Sequence, residues 1–246
     1  SIIGFTAMLP SAAGRIMEKE LKSLSRIIEN PEKPCVFVLG GAKADDSLEI
    51  SKYVLDNKLA DYVLTGGVVG QVFLAARNVD LGKANMEFLK KQELMDLIPG
   101  IKQLEQKYLK NIKTPIDVAV EASGKRKELS IDKLPTEHSI MDIGTKTVQE
   151  YSKTIANAKS IVLSGPMGVY ENSEFSYGTK SIFEEIAKSK AFSLAGGGHT
   201  IGALQEFGLS KKISYVSTAG GALIEFLMGK KLPGVVALEK AAARKP

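Results

Sequence analysis

Phe192-Ser193-Leu194-Ala195-Gly196-Gly197-Gly198-His199-Thr200-Ile201-Gly202 is the stretch that decides the fold. A short apolar run passes into three glycines, and a helical pattern opens directly behind them. That order leaves unpaired amides and the positive end of a helix dipole facing one spot, a seat suited to a phosphate. Thr200 adds a hydroxyl there. The stretch lacks the Gly-Lys-Ser/Thr of a P-loop and is not a clean dinucleotide fingerprint. A dinucleotide site also wants an acid near the end of the next strand, where this chain has Ser217-Thr218; a nicotinamide cofactor is disfavoured.

The same grammar repeats on either side. Short apolar runs occur at Val36–Leu39, Tyr62–Leu64, Ile116–Val120, Ile161–Leu163 and Ile213–Val216. Continuous runs of this kind suit strands buried on both faces of a parallel sheet. Amphipathic stretches lie between them: Met17, Leu21, Leu24 and Ile28; Val148, Tyr151 and Ile155; Ile182, Phe183 and Ile186. The alternation predicts a Rossmann-like, three-layer α/β domain, with a mostly parallel six-stranded sheet and helices on both faces. Residues 86–110 read as two helices broken at Pro99-Gly100, and residues 121–138 as a surface loop or small hairpin. The segment after Gly234 reads as a helix or arm with an apolar face.

Ligands of open parallel sheets bind outside the carboxyl ends of the strands. Five of the six runs end there in clustered glycines: Gly40-Gly41-Ala42-Lys43, Thr65-Gly66-Gly67, Ser164-Gly165-Pro166-Met167-Gly168, Gly196-Gly197-Gly198 and Ala219-Gly220-Gly221. One such turn is ordinary backbone punctuation. Five on one edge point to amides kept bare for a large anionic ligand. Lys43 can present a mobile positive charge to a phosphate in flight, against the commoner role of a solvated surface lysine. Glu171 is placed to take the hydroxyls of a ribose, against that of an exposed loop acid.

Composition narrows the classes. The 246 residues are 44% hydrophobic and 25% charged, as in ordinary globular proteins. The net charge is +5, but the lysines are scattered and the aromatics, 7% with no Trp, are not interleaved with them. The one dense basic run, Lys125-Arg126-Lys127, reads as a solvated loop, so no nucleic-acid partner is expected. No run reaches the ~20 apolar residues that span a bilayer, and no membrane partner is expected either. A single cysteine, Cys35, rules out an internal disulfide and suits the cytoplasm. His138 and His199, the only histidines, have no ligand-spaced companions, so no protein metal site is expected.

Taken in order, Gly40-Gly41-Ala42-Lys43, Gly66-Gly67, Ser164 to Glu171, Gly196 to Thr200, Ser217 to Gly221 and Leu232-Pro233-Gly234-Val235 resemble the signature blocks of phosphoglycerate kinases. Leu9-Pro10-Ser11-Ala12-Ala13-Gly14 resembles the entry to that family's interdomain helix. The resemblance implies residues 1–30 as the end of an N-terminal domain with that helix, 31–233 as the nucleotide-binding C-terminal domain, and 234–246 as an arm that packs on the N-terminal domain. It implies reversible phosphoryl transfer between 1,3-bisphosphoglycerate with ADP and 3-phosphoglycerate with ATP, in glycolysis and gluconeogenesis. Mg2+ would be carried in with the ADP or ATP, and 3-phosphoglycerate would be held by the N-terminal domain, which is not in this chain.

Residue by residue, the resemblance puts Lys43 on the migrating phosphoryl group, with Gly220 and Gly221 supplying amides toward it. Gly41, Gly66, Gly67, Pro166, Gly168 and Val169 would line the adenosine, with Glu171 on the ribose. Gly197, Gly198, His199 and Thr200 would wrap the phosphates. Three positions depart from many members: His199 stands for an Asp, Ser47 for a second lysine and Ser164 for an Asn, an archaeal-type pattern. A neutral His does not replace a carboxylate on Mg2+ by charge, which leaves the metal to phosphates and water. The competing reading is a non-catalytic nucleotide-binding module.

Overall fold

The computed structural model describes residues 3–244. Chain order runs α1 (Arg15–Ile28), β1 (Cys35–Leu39), α2 (Ala44–Asp56), β2 (Tyr62–Thr65), α3 (Gly67–Ala76), α4 (Lys83–Lys91), α5 (Ile98–Tyr108), β3 (Ile112–Lys113), β4 (Asp117–Ala122), β5 (Lys125–Ser130) and β6 (Ile140–Ile143). It continues through α6 (Thr145–Ala156), β7 (Ser160–Ser164), α7 (Tyr177–Lys188), β8 (Phe192–Gly196), α8 (Gly198–Glu206), β9 (Tyr215–Val216), α9 (Gly221–Leu227) and α10 (Pro233–Ala242).

The main sheet has the order β3-β2-β1-β7-β8-β9, and every pairing in it is parallel. All five residues of β1 are buried, as a strand covered on both faces must be. Phe37 and Leu39 pack with α2 and α3 residues such as Ile50, Val54, Val72 and Phe73 on one face. Val36 and Val38 pack on the other, with Tyr151, Ile182 and Phe183 of α6 and α7. The chain winds from β1 outward to β3 on one side, then crosses back to β7 and winds out to β9. Strand order therefore reverses between β1 and β7.

Two expectations fail. Ile116–Val120 is not in the main sheet. Its last four residues, 117–120, lie in β4, the centre of a separate antiparallel sheet ordered β5-β4-β6, while the third strand of the parallel set is the two-residue β3. The 86–110 region does not break at Pro99-Gly100: Pro99 sits in the first turn of α5, where its missing N–H costs nothing. The break falls at Glu93, which takes a left-handed φ of 58° between α4 and a short 3-10 turn. The 121–138 hairpin is present as β4–β5, turning at Ser123-Gly124. The segment beyond Gly234 lies mostly in α10, which packs on the turn Phe5–Ala7. There the Arg244 guanidinium donates to the carbonyls of Thr6 and Ala7.

Asp142 of β6 is buried with its side chain against Arg126 of β5. Burial is the larger influence and outweighs the guanidinium, pushing the carboxyl from 3.8 up to about 6. The folded-state acid thus holds its proton more tightly than the unfolded one. Its contribution to stability is complete below about pH 4 and is lost as pH rises through 6. We expect the stability of the wild type, measured against Asp142→Asn by urea unfolding, to fall by about 2 kcal/mol between pH 4 and pH 7. A flat difference across that range would show an acid with an ordinary pKa.

Candidate functional site

Four strand ends converge where the order reverses. They enclose a cavity of about 310 Å³, at the small end of ordinary ligand pockets. Its lining comes from Gly40–Lys43 after β1, Ser164–Pro166 after β7, Gly197–Thr200 after β8, and Gly220 and Gly221 after β9. Asp46, Ser47 and Ile50 of α2 and Ile224 of α9 complete it. Nine of the residues marked in the sequence meet here: Gly41, Lys43, Pro166, Gly197, Gly198, His199, Thr200, Gly220 and Gly221. A crevice at a topological switch point is where open α/β sheets bind ligands.

Backbone contact between the first and second turns sets the floor. The Gly40 amide donates to the Ser164 carbonyl at 2.8 Å, and the Gly41 amide to the Pro166 carbonyl at 2.7 Å. Gly165 adopts a φ of +89°, and a Cβ there would lie 2.2 Å from the Gly40 carbonyl oxygen. No side chain fits. The Gly165 amide in turn donates to the buried Thr200 hydroxyl at 2.7 Å, tying the β7 turn to the first turn of α8. Gly197 precedes α8 at a φ of +94°, and the first-turn amides of Gly198, His199 and Thr200 have no intrahelical acceptor, as at the start of any α-helix.

Charge at the pocket is sparse. The Lys43 side chain is 82% exposed, and its Nζ sits 4.0 Å from Asp46 Oδ2. Such a contact between exposed groups holds little energy, so the ammonium is free to swing. Burial, reinforced by the neighbouring Asp45, raises the Asp46 carboxyl above its ordinary value. Among the described residues, no group of three or more His, Cys, Asp or Glu is placed to hold a metal ion.

The fourth turn is anchored from outside the sheet. Glu20 of α1, buried, accepts from the Ser217 hydroxyl at 2.9 Å, the Thr218 amide at 2.6 Å and the Thr218 hydroxyl at 3.0 Å. The loop that leads to Gly220 is thus clamped to the helix at the other end of the chain. Sequence reading missed Glu20, for nothing local connects it to residues 198 positions away.

The remaining marked residues lie beside the cavity, not in it. Gly66 and Gly67 back onto the β7 turn, where the Gly67 amide donates to the Met167 carbonyl at 2.7 Å. Gly168 packs against β6. Val169 is 39% exposed and Glu171 is exposed, both on the loop between β7 and α7. Ser47 and Ser164, noted in the sequence only as departures, line the cavity, where the Ser47 hydroxyl donates to the Lys43 carbonyl at 3.0 Å.

A doubly wound parallel sheet with a glycine-lined crevice at its reversal point, one exposed lysine and a helix N-terminus define an α/β protein whose crevice has the chemistry to suit an anionic ligand. The family model for phosphoglycerate kinase matches residues 1–230, and the chain belongs to that family. It is 46% identical over 244 residues to the phosphoglycerate kinase of Methanothermus fervidus, covering 99% of this chain and 59% of that protein. It is 48% identical over 235 residues to that of Methanobacterium bryantii, covering 96% and 57%. The crystal structure of the Pyrococcus horikoshii enzyme superposes with a TM-score of 0.92 at 40% identity, over 99% of this chain and 61% of that one. The chain therefore spans about three-fifths of the length of the relatives it matches.

Proposed function

We propose that this chain is the ADP/ATP-binding half of a phosphoglycerate kinase, transferring a phosphoryl group between the nucleotide and the carboxyl of 3-phosphoglycerate. The observation that carries the reading is the convergence of four glycine turns, Lys43 and the α8 N-terminus on one crevice. Phosphoryl transfer asks for little covalent chemistry: it needs reactants in line and charge neutralised on the equatorial oxygens. The bare amides of α8 receive the phosphates, Gly220 and Gly221 present amides toward the transferring group, and Lys43 follows it. Val169 and Glu171 take the nucleoside side, on the loop that flanks the same turn.

Mg2+ prefers near-octahedral oxygen and retains several waters. The crevice offers it one carboxylate, Asp46, and the hydroxyls of Ser47, Ser164 and Thr200, of which Ser47 already donates to the Lys43 carbonyl and Thr200 already accepts from the Gly165 amide. That donor set fits a cation that arrives on the nucleotide phosphates and not a protein cage. Its chemistry is to neutralise phosphate charge. His199 then serves through its backbone amide, which needs no carboxylate.

The acid substrate is assigned to a further domain, a reading that the greater length of the relatives supports. The relatives are named as kinases, which weighs against a silent nucleotide sensor. Joined to the N-terminal domain of a 46%-identical relative, the chain is expected to transfer phosphoryl groups to 3-phosphoglycerate in a coupled assay, and alone to transfer none. Activity from the chain alone would defeat the division of labour.

Glu171→Ala is expected to weaken ADP binding by about 1–2 kcal/mol, the loss of a hydrogen-bonded carboxylate. Unchanged affinity in calorimetry would remove Glu171 from the ribose.

A further inference from the structure

The loop between β7 and α7 is held from a direction the crevice does not explain. The Val169 amide donates to the Met141 carbonyl of β6 at 2.8 Å. At the far end of the loop, the Gly178 amide in the first turn of α7 donates to Asp142 Oδ2 at 2.7 Å. The same oxygen accepts from Arg126 Nη1 at 2.8 Å, while Arg126 Nη2 donates to the Ile143 carbonyl at 2.8 Å. The guanidinium also lies 5.2 Å from the centre of the Tyr177 ring. One carboxylate thus gathers β5, β6 and the head of α7.

Its second oxygen is stranger. Asp142 Oδ1 is fully buried and has no hydrogen-bond partner among the described residues. It rests against two backbones: a Cβ on Gly168 would stand 2.4 Å from it, and one on Gly178 2.3 Å. Those glycines mark the two ends of the loop. A buried carboxylate with one idle oxygen costs stability, and a neutral side chain of like shape would hold the fold more cheaply. Burial also lifts its carboxyl to about 6, so it is ionised at neutral pH against the preference of its surroundings.

We propose that Asp142 is a positioning residue for nucleoside binding: it fixes the Gly168–Gly178 loop, and with it Val169 and Glu171, to the antiparallel sheet. The proposal rests on the reading of Val169 and Glu171 as the nucleoside side of the site. It assigns a task to that sheet, which contributes nothing to the crevice itself. Arg126, the guanidinium in the basic run Lys125-Arg126-Lys127, is its partner and not a solvated loop charge; its side chain is 15% exposed.

Calorimetry with two ligands separates this from a general loss of structure. Pyrophosphate needs only the α8 amides and the glycine turns, whereas ADP also needs the loop. At a temperature where circular dichroism shows each protein folded, Asp142→Asn is expected to weaken ADP about tenfold and leave pyrophosphate unchanged. Arg126→Lys, which keeps the charge and loses the fork, is expected to do the same to a smaller degree, and carries the test if Asp142→Asn does not fold. Equal weakening of both ligands, or of neither, overturns the proposal while leaving the nucleotide reading intact. A wild-type chain that binds neither ligand overturns both.

Discussion

In a full-length enzyme carrying this sequence, Lys43→Ala is expected to lower turnover by about 100- to 1,000-fold while shifting ADP affinity by little more than threefold. The reason lies in where the ammonium sits. It is mostly exposed, held only by a 4.0 Å contact with Asp46, and it borders the crevice beside the β1 turn. A group so loosely placed in the ground state contributes little to binding there. It gains its interaction when charge builds on the phosphoryl in flight, and such contacts appear in turnover and not in affinity. Steady-state kinetics and calorimetry on the one variant give both numbers. Equal losses in the two would make Lys43 a binding residue, and an active variant would remove it from the mechanism.

Gly165→Ala is expected to cost about 3 kcal/mol or more, with a fall in Tm of roughly 10 °C. A methyl at this position meets two penalties together. The φ of +89° is outside the range that L side chains adopt without strain, and the added carbon falls 2.2 Å from the Gly40 carbonyl oxygen and 2.8 Å from the Gly41 nitrogen. Both obstacles are backbone, so neither swings away. The turn after β1 and the turn after β7 must separate, and the floor of the crevice opens with them. Gly198→Ala is the contrasting substitution. Nothing lies within 4 Å of its Cβ, and its φ is ordinary. Thermal unfolding is expected to place it within about 0.5 kcal/mol of the wild type. Its methyl stands on the α8 amides, so ADP is expected to bind about tenfold more weakly. Tight ADP binding by Gly198→Ala would mean that the α8 N-terminus does not hold the phosphates.

The sequence made the crevice legible because its parts are local. Each glycine turn follows a short apolar run directly, and parallel winding brings those ends to one edge whatever the details between. Lys43 and His199 were found for the same reason: they sit within four residues of a strand end. The misread strand shows the limit. Ile116–Val120 has the composition of a parallel core strand, and β4 is indeed largely buried, but it is covered by an antiparallel partner on each side. Apolar runs report burial and not which sheet does the burying. The true third strand, Ile112–Lys113, is two residues long and carries no periodic signal. Pro99 reads as a breaker because proline both opens and ends helices, and only the position within the turn decides which.

The anchoring network was out of reach for a different reason. Glu20 reads as one more charge on an amphipathic helix, yet it closes three hydrogen bonds on the loop before Gly220. Asp142 and Arg126 are 16 residues apart, on two strands joined only through β4. A charge in a basic run and an acid in an apolar strand are unremarkable separately; register makes them a pair. The residues that line the crevice are thus written in the turns, and those that hold the turns are written in tertiary contacts.

The central claim is that this chain holds the nucleotide and leaves the acid substrate to another domain. Two calorimetric titrations of the 246-residue chain test it directly, one with magnesium ADP and one with 3-phosphoglycerate. The account expects saturable binding of one ADP and no heat from 3-phosphoglycerate. Binding of 3-phosphoglycerate in the absence of nucleotide, or no binding of ADP, would contradict it.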